Sequence, residues 1–315
     1  NTISSNSIFG TNQDYGIVFN SGAHDNTILS NDIGNNQSYG IYFVAASNNI
    51  ISGNAVYSND WYGIVLSSIS AVNNTISSNT IFGMNQDYGI YFLLGPHDNA
   101  IISNDIGNNQ QYGIYFGAAS NNIIRGNSVY SNDLYGIVLS SISAAYNTIS
   151  SNRIYGTNQD YGVCFTNGAH DNFILSNDIG NNQLRGIYFF AASNNVISGN
   201  TVYSNDLYGI VLSSIAAMNN TISSNSIFGT NQDYAIYFLS GSHDNFILSN
   251  DIGNNQQNGI YFADASNNVI SGNAVYSNDL CGIWFNNIAA MNNTISSNKI
   301  FGINQDRGIY FLNGA

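Results

Sequence analysis

Residues 1–19 read NTISSNSIFGTNQDYGIVF, and the hexapeptide that opens them returns at Asn74, Asn147, Asn220 and Asn293, a constant step of 73 residues. Three shorter units fill each step, beginning at Asn1, Asn26 and Asn49 with lengths of 25, 23 and 25, so the chain holds 13 units, the last incomplete. Each unit runs N-x-I-x-x-N-x-I, a polar turn, then G-I-x-F. Ile3, Ile28, Ile51 and Ile76 head a column that is Ile in every unit. Ile8, Ile33 and Val56 head a second apolar column, Ile17, Ile41 and Ile64 a third, and Phe19, Phe43 and Leu66 a fourth. In G-I-x-F the apolar residues alternate, the mark of a strand with one buried face.

Short strands separated by Asn, Ser and Gly cannot bury their apolar side chains alone, but stacked similar units can. No segment carries the apolar spacing of a helix, and β-branched residues and Gly interrupt every stretch. Propeller blades need about 40 residues or more per unit. The reading is therefore an all-β right-handed parallel β-helix, a solenoid of about 13 coils of 23–25 residues in a three-coil super-repeat of 73. A column headed by Asn6, Asn31 and Asn54 is Asn in all 13 units, and stacked carboxamides there can bond from coil to coil along the axis. Residues 1–315 read as a single solenoid, expected to be a segment of a longer repeat protein or to stack end to end, because neither terminus reads as a polar cap.

The chain carries a formal charge of −13, and its 18 acidic residues are all Asp. Only Arg125, Arg153, Arg185, Lys299 and Arg307 are basic, too few and too scattered for nucleic acid or an anionic membrane surface. No apolar run is long enough to span a bilayer as a helix. Cys164 and Cys281 lie five units apart, ~24 Å at the spacing of stacked strands, beyond the reach of a disulfide.

The repeated N-x-I-x-x-N-x-I…Y-G-I-x-F pattern resembles the right-handed parallel β-helix repeats of the NosD-like and pectate-lyase-like superfamily, and the resemblance covers the whole chain. That superfamily includes polysaccharide lyases, hydrolases, epimerases, copper-maturation proteins and surface adhesins, so the resemblance implies the fold and leaves function open. The Y-G-x-D-P-H element of its alginate epimerases is not matched: after Asp14-Tyr15-Gly16 comes Ile17-Val18-Phe19.

Three groups of residues carry chemistry. His24, His97, His170 and His243, one per 73-residue step and each followed by Asp, lie three coils apart, ~14 Å, too far to share a metal ion. The neighbouring pairs Asp60/Asp87, Asp133/Asp160, Asp206/Asp233 and Asp279/Asp306 would stack carboxylates in successive coils and are candidates for calcium, the one cofactor the sequence suggests. The outward position of G-I-x-F collects Tyr42, Tyr91, Tyr115, Tyr188, Tyr237, Tyr261, Trp284 and Tyr310, with Val18, Val65, Val138, Val211 and Cys164 between them. An exposed aromatic stripe of that length marks a contact surface for protein or sugar. The Tyr before each Gly is replaced elsewhere by Arg185, Asn258, Cys281 and Arg307, so that corner reads as at least partly wet. The basic residues read as drift on a solvated surface.

Near-identical repeats distinguish no single site. The expectation is a non-catalytic, extracellular or cell-surface structural or interaction protein that assembles with itself, end to end or laterally, or with further coils of its own chain. The alternatives are a carbohydrate-binding adhesin that contacts glycans through the aromatic stripe, and a polysaccharide-active enzyme.

Overall fold

The computed structural model describes residues Asn1–Ala315. The chain is an all-β parallel β-helix with three sheets and no helices, and it divides into two compact units, Asn1–Ile154 and Tyr155–Ala315. In the first unit, sheet A begins with Thr2–Ser4, Thr27–Leu29, Ile50–Ser52 and Thr75–Ser77, sheet B with Ser7–Phe9, Asp32–Gly34 and Ala55–Tyr57, and sheet C with Tyr15–Phe19, Tyr39–Val44 and Tyr62–Ser67. The second unit repeats the plan: Phe173–Leu175 and Val196–Ser198 in sheet A, Asp178–Asn182 and Thr201–Tyr203 in sheet B, Tyr161–Thr166 and Arg185–Phe190 in sheet C.

Pairing is parallel and in register, like on like. Ile3 lies opposite Ile28 and Ile28 opposite Ile51, and Ile187 lies opposite Ile210. Away from the terminal coils, the four apolar columns expected from the sequence are wholly inside: Ile28, Ile33, Ile41 and Phe43 are 0% exposed, as are Ile174, Ile179, Ile187 and Phe189. Corners take a single residue of left-handed backbone, such as Asn48 (φ 54°), Asn73 (φ 55°) and Ser78 (φ 55°). Short polar side chains tolerate that conformation by bonding locally, which accounts for the Asn, Ser and Asp between strands.

The expected amide ladder is present, and the structure adds two more. Asn79 Oδ1 accepts from both the backbone N and the Nδ2 of Asn54, each at 2.9 Å, while its own Nδ2 donates to Asn104 Oδ1 at 2.9 Å and to the Ile51 carbonyl at 3.0 Å. A second ladder runs through the first residue of each unit, where Asn49 N and Nδ2 donate to Asn74 Oδ1 at 3.0 and 2.9 Å. A third lines the turn before sheet C, through Asn36, Asn59, Gln86 and Asn109. Gln replaces Asn there in the coil whose turn is longer: Asn59 and Gln86 are 27 residues apart, Gln86 and Asn109 23. The extra methylene lets the carboxamide keep its place on the ladder.

The Gly at the second position of most sheet C strands serves closeness, not unusual backbone, and Ala235 takes its place in Tyr234–Leu239. A Cβ on Gly40 would lie 2.7 Å from the Gly63 carbonyl, and one on Gly63 2.6 Å from that of Gly89.

Two stability predictions follow from this packing. Ile124, 0% exposed in an unbroken Ile column, becomes an unpaired buried charge on substitution by Asp, at a cost of about 3–5 kcal/mol. Circular-dichroism melting should show a large fall for Ile124→Asp and none for Thr80→Arg at an exposed outward position. Asn79→Leu leaves Asn54 and Asn104 short of partners, at about 1–3 kcal/mol for each orphaned group, and urea unfolding should register it although Leu is the more apolar residue. An unchanged midpoint would mean the ladder adds nothing to stability.

Candidate functional site

The outward surface of sheet C differs from the exposed stripe expected. Two aromatic columns interleave on it: the residue before the Gly and the x of G-I-x-F. Tyr39 stacks on Tyr15 at 5.1 Å and on Tyr62 at 4.9 Å between ring centroids, and it also meets Tyr42 of its own strand at 4.8 Å. Tyr88 likewise stacks on Tyr62, Tyr91 and Tyr112 at 5.1, 4.9 and 4.7 Å, and Tyr115 meets Tyr91 edge-on at 5.3 Å. The small residues between the rings are covered: Val65, Val138, Val211 and Cys164 are 1%, 4%, 1% and 2% exposed. Tyr42, Tyr91, Tyr115, Tyr188, Tyr237, Trp284 and Tyr310 are half-buried and Tyr261 is buried. Burial pushes the Tyr91 and Tyr237 phenols up to about 12 and raises Tyr88 and Tyr234 as well. The corner before the Gly is half-buried in most coils, exposed at Tyr15 and Arg307, and closed at Asn258 and Cys281, which are 0% and 1% exposed. Both cysteines are free.

Arg185 stands in the column where Tyr39 and Tyr112 stand in the matching coils of earlier repeats. It is half-buried, with its guanidinium 4.2 Å from the centre of the Tyr188 ring, 5.4 Å from Tyr161 and 5.8 Å from Tyr208. Tyr161 pairs with it from the coil on one side and Tyr208 from the coil on the other. The planar cation continues the stack, held by the negative faces of the rings. Its Nε is buried and donates to nothing in the protein. Burial raises both flanking phenols, but differently. For Tyr161 the next influence is Arg185, which lowers it; for Tyr208 the nearby Asp233 raises it further before Arg185 acts. The expectation that this arginine is surface drift is therefore corrected. The sequence signal was present, as a cation replacing an aromatic at one position of a regular column.

The remaining sites lie as follows. Each His donates or accepts at Nδ1 with Oδ2 of the Asp that follows, at 2.7 Å in all four copies. Asp60 and Asp206 each accept at Oδ1 from an amide of the next coil, Asn85 and Asn231, at 2.9 Å. Asp87 and Asp233 are half-buried, and their carbonyls anchor the next coil's strand by accepting from Tyr112 N and Asn258 N. The carbonyl of half-buried Asp160 accepts from Arg185 N, whereas Asp133, Asp279 and Asp306 are exposed. No three His, Cys, Asp or Glu side chains converge on a common point. No helix is long and apolar enough to cross a membrane.

The chain matches the family described as "Right handed beta helix region" over residues 1–106, 93–252 and 215–315. It is 26% identical over 137 residues to a mannuronan C5-epimerase of Pseudomonas putida, covering 43% of this chain and 21% of that one. To a mannuronan C5-epimerase of Pseudomonas syringae pv. tomato it is 31% identical over 91 residues, 29% of this chain and 17% of that one. It thus spans about a fifth of the length of these relatives. Among solved structures, a mutant of the periplasmic alginate epimerase AlgG superposes with a TM-score of 0.75 at 16% identity, over 96% of this chain and 85% of that one. These relatives are enzymes, which overturns the expectation of a non-catalytic structural or adhesive protein. The repeats are not wholly uniform: Arg185 departs from the column of Tyr39 and Tyr112. By the match along its whole length, the chain belongs to the right-handed β-helix family.

Proposed function

We propose that this protein acts outside the cytoplasm on a carboxylate-bearing polysaccharide, inverting sugar units at C5, with Arg185 as the group that binds the sugar carboxylate. The observation that carries the proposal is a half-buried guanidinium with an unpartnered Nε in the centre of a phenol-lined surface. Arginine pairs with carboxylates through charge-assisted, often bidentate bonds, which are stronger than neutral ones. Removal of a proton from the carbon beside a carboxylate builds negative charge on that carboxylate. A fixed cation already in place stabilises it without reorganising.

Inversion needs one group to take the C5 proton and another to return a proton from the opposite face. Tyr161 and Tyr208 flank Arg185 from opposite sides along the axis. The Arg185 guanidinium lies nearer the Tyr161 ring, 5.4 Å against 5.8 Å for Tyr208, and a nearby cation favours the phenolate, so the base is assigned to Tyr161. Tyr161, drawn down by Arg185 against burial, is the base as its phenolate and receives the proton at Oη. Tyr208, held protonated by burial and Asp233, donates from its Oη. Protons then exchange with water. The extracytoplasmic setting is supported by the periplasmic location in the name of AlgG.

Incubation with mannuronan in heavy water, followed by NMR, should show deuterium entering at C5. Arg185→Tyr restores the residue of earlier repeats and should lower the rate about 100-fold or more with melting unchanged. Tyr208→Phe should retain exchange but lose inversion, whereas Tyr161→Phe should lose both. No exchange by the intact protein on mannuronan or on other uronate polymers would refute the proposal. The pH dependence has a definite sign. The base must be ionised and burial raises its pKa, so the rate should climb from neutral into alkaline pH as phenolate accumulates, in a stopped-time assay at fixed ionic strength.

A further inference from the structure

The fourth 73-residue repeat departs from the others at one place on sheet C and the turn that follows it. Asp264 stands where Ala45, Ala118 and Ala191 stand in the other repeats, Trp284 where Val65, Val138 and Val211 stand, and Asn286 where Ser67, Ser140 and Ser213 stand. Asn258 occupies the place of Tyr39, Tyr112 and Arg185. Two of these departures, Trp284 and Asn286, meet one ring. Tyr261 lies 5.1 Å from Tyr237 and 5.0 Å from Trp284, and its Oη is 2.5 Å from Asn286 Nδ2, which donates to it.

Three of the replacements bring polar atoms that the fold leaves unused. Asp264 Oδ1, Trp284 Nε1 and Asn258 Nδ2 are all buried and make no hydrogen bond. Asn258 is 0% exposed and uses only its Oδ1, which accepts from Cys281 N at 3.1 Å. Buried polar groups without partners are costly, and a native chain retains them where something else supplies the bond. The Ala of the other repeats at the Asp264 position and the Val at the Trp284 position would avoid the cost there. What the group presents at the surface is the half-buried Asp264 carboxylate and the half-buried Trp284 ring, seated over the buried Tyr261. That is the complement of a sugar ring, with an apolar face and hydroxyls at its rim. It does not suit a second carboxylate, which Asp264 would repel.

We infer that Asp264, Trp284 and Tyr261 form a binding site for an uncharged sugar unit, and that the polymer this protein takes is therefore mixed, with neutral sugars spaced between uronates. The inference rests on the reading of Arg185 as the carboxylate site. The strand bearing Asn258 and Tyr261 is three coil steps from that of Arg185, ~14 Å, so one polymer chain lying along sheet C would meet both. Overall charge points the same way. With a formal charge of −13 and five basic residues, the protein favours a polymer of lower charge density over one charged at every sugar.

The test is calorimetric affinity for three probes: mannuronan, a soluble neutral β-glucan, and a polymer in which glucuronate alternates with neutral hexoses. The alternating polymer should bind about 10-fold or more tightly than mannuronan. Asp264→Ala and Trp284→Val, which restore residues of the other repeats, should each lose about 10-fold on the alternating polymer and on the glucan, with no loss on mannuronan. Equal affinity of the intact protein for mannuronan and the alternating polymer would overturn the inference, as would unchanged binding of the alternating polymer by Asp264→Ala. Arg185→Tyr separates the two readings: if it leaves binding and C5 exchange intact while Asp264→Ala still weakens the glucan, the Arg185 reading fails and the neutral-sugar site stands. A measurement independent of those variants uses Trp61→Leu, matching Leu134 and Leu207, so that Trp284 is the sole indole. The glucan should then change its fluorescence, and a flat titration would count against the site.

Discussion

Everything in this protein depends on the requirement that each coil present the same group at the same height as its neighbours. The carboxamide ladders enforce it. An Asn such as Asn79 uses its oxygen to receive two donors from one neighbouring coil and its nitrogen to bond the other coil and a main-chain carbonyl. A displaced coil would break all of these bonds inside an interior where the orphaned groups have no water. The Ile column adds the apolar counterpart, because a side chain of the same shape above and below leaves neither void nor clash. Even the turn of different length obeys, with Gln86 reaching where an Asn would fall short.

Such a constraint suppresses variation on the inside and leaves the outer face of sheet C as the place where the sequence is free to diverge. Function is then to be sought in departures from the repeat. Arg185 replaces a stacked Tyr without breaking the stack, since a guanidinium is planar and prefers a ring face. Asp264 and Trp284 bring polar groups that the fold does not satisfy. The two departures have opposite charge preferences, one cationic and one anionic, and Arg185 and Trp284 lie on strands whose inner sides are as regular as any in the chain.

The sequence by itself determined the coil length, the four apolar columns and one amide ladder, because the in-and-out alternation of a strand and the repeat of identical residues at fixed spacing both follow from backbone geometry alone. It also supplied the resemblance that kept a polysaccharide-active enzyme among the alternatives. The tertiary structure decided what happens at the corner before each sheet C strand. Tyr39 and Tyr42 are three apart, and strict alternation would place them on opposite faces, yet their rings stack at 4.8 Å. Gly40 and Ile41 are both buried, the Gly pressed against the carbonyl of the next coil, so the alternation slips by one and both rings reach one surface and cover the small residues between them. That slip turned an expected open stripe into a half-buried phenol surface and put Arg185 inside it. Residue spacing along a strand carries no information about such a slip, which is set by the coil packed against it.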